Sequence, residues 1–224
     1  MLRARPRIVD ALEAVDPGHN QAYTKEIENA KKEAKLAQRE VDEEFPLLHA
    51  QATIALWVAL EATMQTFFVR WLENKKEAFD IEPVQKLKVR IADYEKLQGE
   101  ERYFYILDRL EQEMPAAGFA RFEALLALFG LSGVVNQDDR RNLLELNHMR
   151  NALVHRSGII DSRLAAACPW LALCPGQPLR INANMTMRYF GSSMNYAIDI
   201  IIRIGEYFGV NMDEFKRPPL TTNA

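Results

Sequence analysis

No uninterrupted apolar run in the 224 residues reaches the roughly 18 that a membrane-spanning helix needs. The basic start, Met1-Leu2-Arg3-Ala4-Arg5-Pro6-Arg7, leads into no long apolar core, so no secretory signal peptide is expected. The chain is therefore read as cytoplasmic, with no membrane partner. Cysteine is scarce: only Cys168 and Cys174 occur. A structural zinc draws on four Cys or His ligands, and no second pair lies near these two. Their spacing permits a disulfide, but nothing points to an oxidising compartment, and they are read as unlinked, partly buried thiols in a proline-rich loop. There is no internal repeat, no glycine-rich phosphate loop and no helical pair of histidines four apart, so neither a cofactor nor a metal is expected. Charge of one sign is also lacking. With 28 Lys+Arg against 31 Asp+Glu, the net charge is -3. No global basic field draws in nucleic acid, and RNA binding would require a local basic cleft, or one made by two subunits.

What is present is an ordinary globular composition, 48% hydrophobic and 26% charged, long enough for one compact domain and an extension. Residues 1–44 read as an N-terminal charged helical arm, 45–210 as a helical domain and 211–224 as a flexible tail. Within the arm, residues 20–44 are rich in Ala, Lys and Glu, and Glu28 lies three and four residues from Lys31 and Lys32, as in a solvated helix. From Leu47 to Asn74, Ile54, Trp57, Val58, Met64, Phe67, Phe68, Trp71 and Leu72 recur at helical spacing. Glu61 lies inside that stripe. A carboxylate on an apolar face is costly unless paired, so Glu61 is either an acid facing a functional cleft or an interhelical anchor.

Residues 84–97 fit two patterns: Leu87, Val89 and Ile91 alternate like a strand, while Val84, Leu87, Ile91 and Tyr94 fit a helix. Residues 100–113 and 119–129 read as helices split by Pro115 and Gly118. Asp138 or Asp139 is expected to cap the next helix. Residues 162–180 read as loop, Leu179–Met187 as a short strand or hairpin, and 189–208 as a last helix burying Met194, Ile198, Ile201, Ile202 and Tyr207. The expected fold is an all-α bundle of about five main helices with a short β element after the fourth.

The most informative stretch runs from Asn147 to Gly158, NHMRNALVHRSG. It sets Arg150, Asn151 and His155 at the end of a helix otherwise patterned for the core. Arginine is a permanent cation that can fork onto two phosphate oxygens. Histidine moves protons near neutral pH, and His155 lies at the negative end of the helix dipole, which favours cations. On a wheel of about 100° per residue, Leu144, His148, Asn151 and His155 share one stripe, and Leu143, Asn147, Arg150 and Val154 the neighbouring one. Arg150 and His155 are thus more than a quarter-turn apart on an unbroken helix. A bent arginine side chain, a helix end near Gly158, or a twofold partner would reconcile them.

The segment Arg150-Asn151 through His155, followed by Gly158 and Asp161, resembles the R-N-x-x-x-H motif of the HEPN superfamily of all-helical domains. The likeness covers residues 45–210, with its specific part in a dozen residues. It implies a HEPN-like bundle and a metal-independent endoribonuclease, in which the 2′-hydroxyl attacks the adjacent phosphorus and leaves a 2′,3′-cyclic phosphate. It also implies a homodimer in which two motif copies line one cleft. The settings it suggests are toxin–antitoxin pairs with an inhibitory protein partner, antiviral defence and RNA processing.

In that reading His155 is the general acid or base, Arg150 stabilises the transition state and Asn151 positions phosphate or imidazole. His148 is a weaker second proton carrier, and Glu61, which has counterparts in some relatives, a weaker orienting acid. Arg140, Arg141, Arg156 and Arg163 flank the motif and either bind the RNA backbone or form a solvated face. The rival reading is a non-catalytic HEPN-like scaffold, or a module binding nucleotides or protein partners. There His155 caps helix carbonyls and Arg150 pairs with Glu61 or Glu145. A metal-dependent hydrolase finds no carboxylate-rich ligand set. His19 and His49 read as surface or packing residues.

Overall fold

The Ala-, Lys- and Glu-rich segment winds into α1, Asn20–Asp42. It ends where Glu44 and Phe45 both take left-handed backbone angles, φ 60° each. Pro46 then opens α2, Pro46–Asn74, at the one helical position where a missing N–H costs nothing. The computed structural model describes residues 20–216, together with 11, 14 and 15; the basic start and the tail beyond Lys216 lie outside these. After α2 come two short helices, α3 (Glu82–Gln85) and α4 (Ile91–Tyr94), then α5 (Glu100–Glu113), α6 (Phe119–Leu128), α7 (Gln137–His155), α8 (Ser162–Ala167) and α9 (Ala183–Tyr207). The architecture is all-α.

Helix α2 is the spine. Trp57, Leu60, Met64, Phe68 and Leu72 recur every three or four residues and are buried, facing α5, α7 and α9. Trp57 stacks on Phe122 of α6 at 5.8 Å. By length and composition α2 could also cross a bilayer, and a third of its most apolar window is buried in the fold.

Helices α7 and α9 run antiparallel, tied by polar rungs. Asn195 donates to Asp139 at 3.1 Å, Asn142 to Ser192 at 2.9 Å and Tyr189 to Glu145 at 3.2 Å. These rungs overturn the expected orientation of α9. Of the five residues expected inside, Ile202 is buried, whereas Met194, Ile198, Ile201 and Tyr207 are exposed. Buried polar groups must be hydrogen-bonded. The partners offered by α6 and α7 therefore turn Tyr189, Ser192, Tyr196 and Arg203 inward, and the greasier face turns out.

Other expectations are corrected locally. The strand or hairpin at Leu179–Met187 reduces to a single bridge between Ile159 and Pro178. Pro175 and Pro178 have no N–H with which to extend a ladder, and from Ala183 the chain is already in α9, capped by the Asn182 side chain on the Met185 amide at 2.9 Å. The cap of α7 is Asn136, accepting from the Asp138 amide at 2.9 Å, rather than Asp138 or Asp139. Residues 84–97 form two isolated helical turns. Residues 162–180 contain α8 and a 3₁₀ turn at Pro169–Leu171. Residues 213–215 form another such turn, within the segment read as a tail and without testing that reading. Both cysteines are free thiols, Cys168 buried and Cys174 exposed.

Candidate functional site

Helix α7 ends at His155. The amides of Arg156 and Gly158 both donate to the Ala152 carbonyl at 3.0 Å, and positive φ at Ser157 and Gly158, 53° and 71°, turns the chain away. The last turn therefore leaves the His155 imidazole exposed.

The arginine bends round to meet it. Arg150 Nη1 lies 3.0 Å from Asn151 Oδ1, to which it donates, and 3.4 Å from His155 Nε2. Arg150 Nη2 lies 3.8 Å from Glu61 Oε2 on α2. Of the two acids that could pair with Arg150, Glu61 is the one brought to it; Glu145 serves a different cluster. The guanidinium is about a quarter exposed, at 23%, and Glu61 at 39%, so the pair is weak and exchangeable. A phosphate, with two oxygens for the guanidinium fork, can compete for it.

The Nη1–H group can only donate, so it bonds His155 Nε2 in the tautomer that carries its proton on Nδ1, and in that tautomer Nε2 is a proton acceptor.

Behind the motif sits a support that sequence reasoning missed. Asn151 Nδ2 donates to Asn147 Oδ1 at 3.4 Å, and the Asn147 carboxamide packs on Gly118, φ 58°, where an added Cβ would come within 2.3 Å of Asn147 Nδ2. The four-residue step from Asn147 to Asn151 was a readable signal. The approach of Gly118, from the start of α6, was not.

The other candidates are not gathered here. His148 has no hydrogen bond to this cluster. Burial pushes its pKa below 6.5, opposed by the Asp161 carboxylate. Arg156 pairs with Asp161 at 3.5 Å, and Arg163 is exposed on α8. Arg140 is exposed roughly 15 Å up the helix from Arg150. Arg141 lies on the other side of α7, with its guanidinium 4.7 Å from the Trp170 ring.

Arg141 belongs to a second constellation around Glu145. This carboxylate, fully buried, accepts from Trp170 Nε1, from Tyr189 Oη at 3.2 Å and from Arg188 Nη2 at 3.2 Å, and lies 3.5 Å from Arg141 Nε. It pins α7, α9 and the 3₁₀ turn together, in place of the Arg150 pairing the sequence offered for it. Among the described residues no three His, Cys, Asp or Glu side chains cluster as a metal site would. No protein-family model, curated protein or solved structure matches the chain.

Proposed function

We propose that the chain is a HEPN-type, metal-independent endoribonuclease acting on single-stranded or loop RNA. The observation that carries this reading is the single Arg150 Nη1 atom lying within reach of both Asn151 and His155 at a solvent-open helix end. A scissile phosphate would draw the guanidinium off His155 and away from Glu61, releasing Nε2. His155 then takes the proton of the 2′-hydroxyl as O2′ bonds to phosphorus. Arg150 neutralises the charge on the crowded phosphorane, and Asn151, braced by Asn147, holds the guanidinium in line. The P–O5′ bond breaks, and the 5′-oxygen takes its proton from solvent. His148 is a poorer donor in this scheme, because burial lowers its pKa. Glu61 acts as a placeholder for the phosphate.

Under this reading the partners are RNA, a second copy and an inhibitory protein where activity is restrained. The setting is toxin–antitoxin or antiviral defence in the cytoplasm. The rival scaffold reading draws support from the same Arg150–Glu61 pair, which also joins α2 to α7.

The chemistry is tested with RNA oligonucleotides in EDTA. Cleavage should leave a 2′,3′-cyclic phosphate and should stop when the nucleotide 5′ to the cut carries 2′-deoxyribose. Cleavage of the 2′-deoxy substrate at an unchanged rate would overturn the mechanism.

A further inference from the structure

The outer face of α9 is the feature that the nuclease reading does not use. Met187, Phe190, Met194, Ile198 and Ile201 are 65%, 51%, 49%, 39% and 58% exposed. Their steps of three and four residues set them on one stripe, about 21 Å long. The opposite side of α9, buried against α6 and α7, carries Tyr189, Ser192, Tyr196 and Arg203. A surface helix normally does the reverse, with its polar face in water. The five side chains leave about 500 Å² of apolar surface exposed, near the upper end for a monomer. With its polar margins the stripe approaches the roughly 800 Å² per partner of a stable interface.

We propose that this face binds the same face of a second copy, α9 against antiparallel α9, with a twofold axis at Met194. The stripe is self-complementary about that residue. Seven residues before it stands Met187, and seven after it Ile201, so each copy's Met187 meets the other's Ile201. Large meets small beside the axis: Phe190 comes level with Ala197 of the other copy on one margin, and Ile198 with Gly191 on the other. Gly191 has open space on its outer side, with nothing within 4 Å of an added Cβ.

This pairing is independent of the nuclease reading. Asn142 and Glu145 of α7 face α9, while Asn147 and Asn151 lie on the other side of α7. The two Arg150 clusters therefore face outward, one on each copy, rather than into the shared cleft implied by the family resemblance.

Sedimentation equilibrium of the full chain tests the proposal. The wild type should be a dimer. Met194→Glu, which sets two carboxylates against each other on the axis, should raise the dimer dissociation constant at least about tenfold while leaving the helical circular dichroism of the folded chain unchanged. In a Cys174→Ser background, oxidised Met194→Cys should form a covalent dimer, and Met187→Cys should not, because its mate is position 201. A monomeric wild type would overturn the proposal, whether or not the stripe then binds anionic vesicles. So would a dimer indifferent to Met194→Glu, or equal cross-linking at 187 and 194. None of these outcomes depends on RNA cleavage.

Discussion

Replacing Glu145 with Gln should destabilise the protein far more than replacing Glu61 with Gln, although both acids pair with arginine on or against α7. The Glu145 carboxylate is fully buried and receives Trp170 Nε1, Tyr189 Oη and Arg188 Nη2, with Arg141 at 3.5 Å. A carboxamide keeps one acceptor oxygen and turns an N–H toward a donor, which strands a hydrogen bond to a charged group worth about 1.5–3 kcal/mol. Arg141 and Arg188 are each 44% exposed and can return to water, so their share is under about 1 kcal/mol. The total is about 1.5–4 kcal/mol, which for a chain of this size lowers Tm by roughly 3–16 °C. Glu61, 39% exposed and 3.8 Å from Arg150, is worth less than about 1 kcal/mol. Thermal unfolding followed by circular dichroism at neutral pH measures both. If Glu61→Gln costs as much as Glu145→Gln, or if Glu145→Gln is silent, the assignment of Glu145 as the structural anchor and Glu61 as the exchangeable partner is wrong.

Thiol reactivity should separate the two cysteines. Burial, reinforced by the nearby Glu145 carboxylate and opposed by Arg141, pushes the Cys168 pKa up to about 11. At about pH 8 an alkylating reagent should therefore modify exposed Cys174 in the native protein and reach Cys168 only in denaturant; mass spectrometry showing equal labelling would contradict this. His148 should give stability a pH dependence of defined sign. Its folded-state pKa lies below 6.5, chiefly through burial, so the unfolded chain binds the proton more readily. Stability should therefore fall as pH drops through 6.5 toward the folded value. His148→Gln should flatten that part of the curve; an unchanged slope would show that the imidazole is not the group responsible.

The helices with dense, periodic cores were legible from sequence because burial dictates their pattern. Trp57, Met64, Phe68 and Leu72 read as core and are core. Helix α9 was misread for an instructive reason. Hydrophobicity alone points Met194 and Ile201 inward, but orientation is set by whichever face finds partners for its polar groups, and those partners lie fifty residues away on α7. The same blindness hid the anchoring role of Glu145, whose donors come from residues 170, 188 and 189. At the candidate site the local part was readable: Arg150, Asn151 and His155 are close in sequence and meet in space through a bent arginine. The packing of Gly118 behind Asn147 joins segments about thirty residues apart, and no periodicity announces it. The β element gives way because the Asn182 side chain caps a helix that starts at Ala183, inside the alternating stretch.

The pairing of guanidinium and imidazole at the end of α7 is the centre of the functional account, and single-turnover RNA cleavage in EDTA by wild type, Arg150→Ala and His155→Ala addresses it most directly. The prediction is metal-independent cleavage by the wild type and a loss of about 10²–10⁴-fold in each variant, with both variants as stable as the parent to within about 1 kcal/mol. Two well-folded variants that cut RNA as fast as the wild type would contradict it.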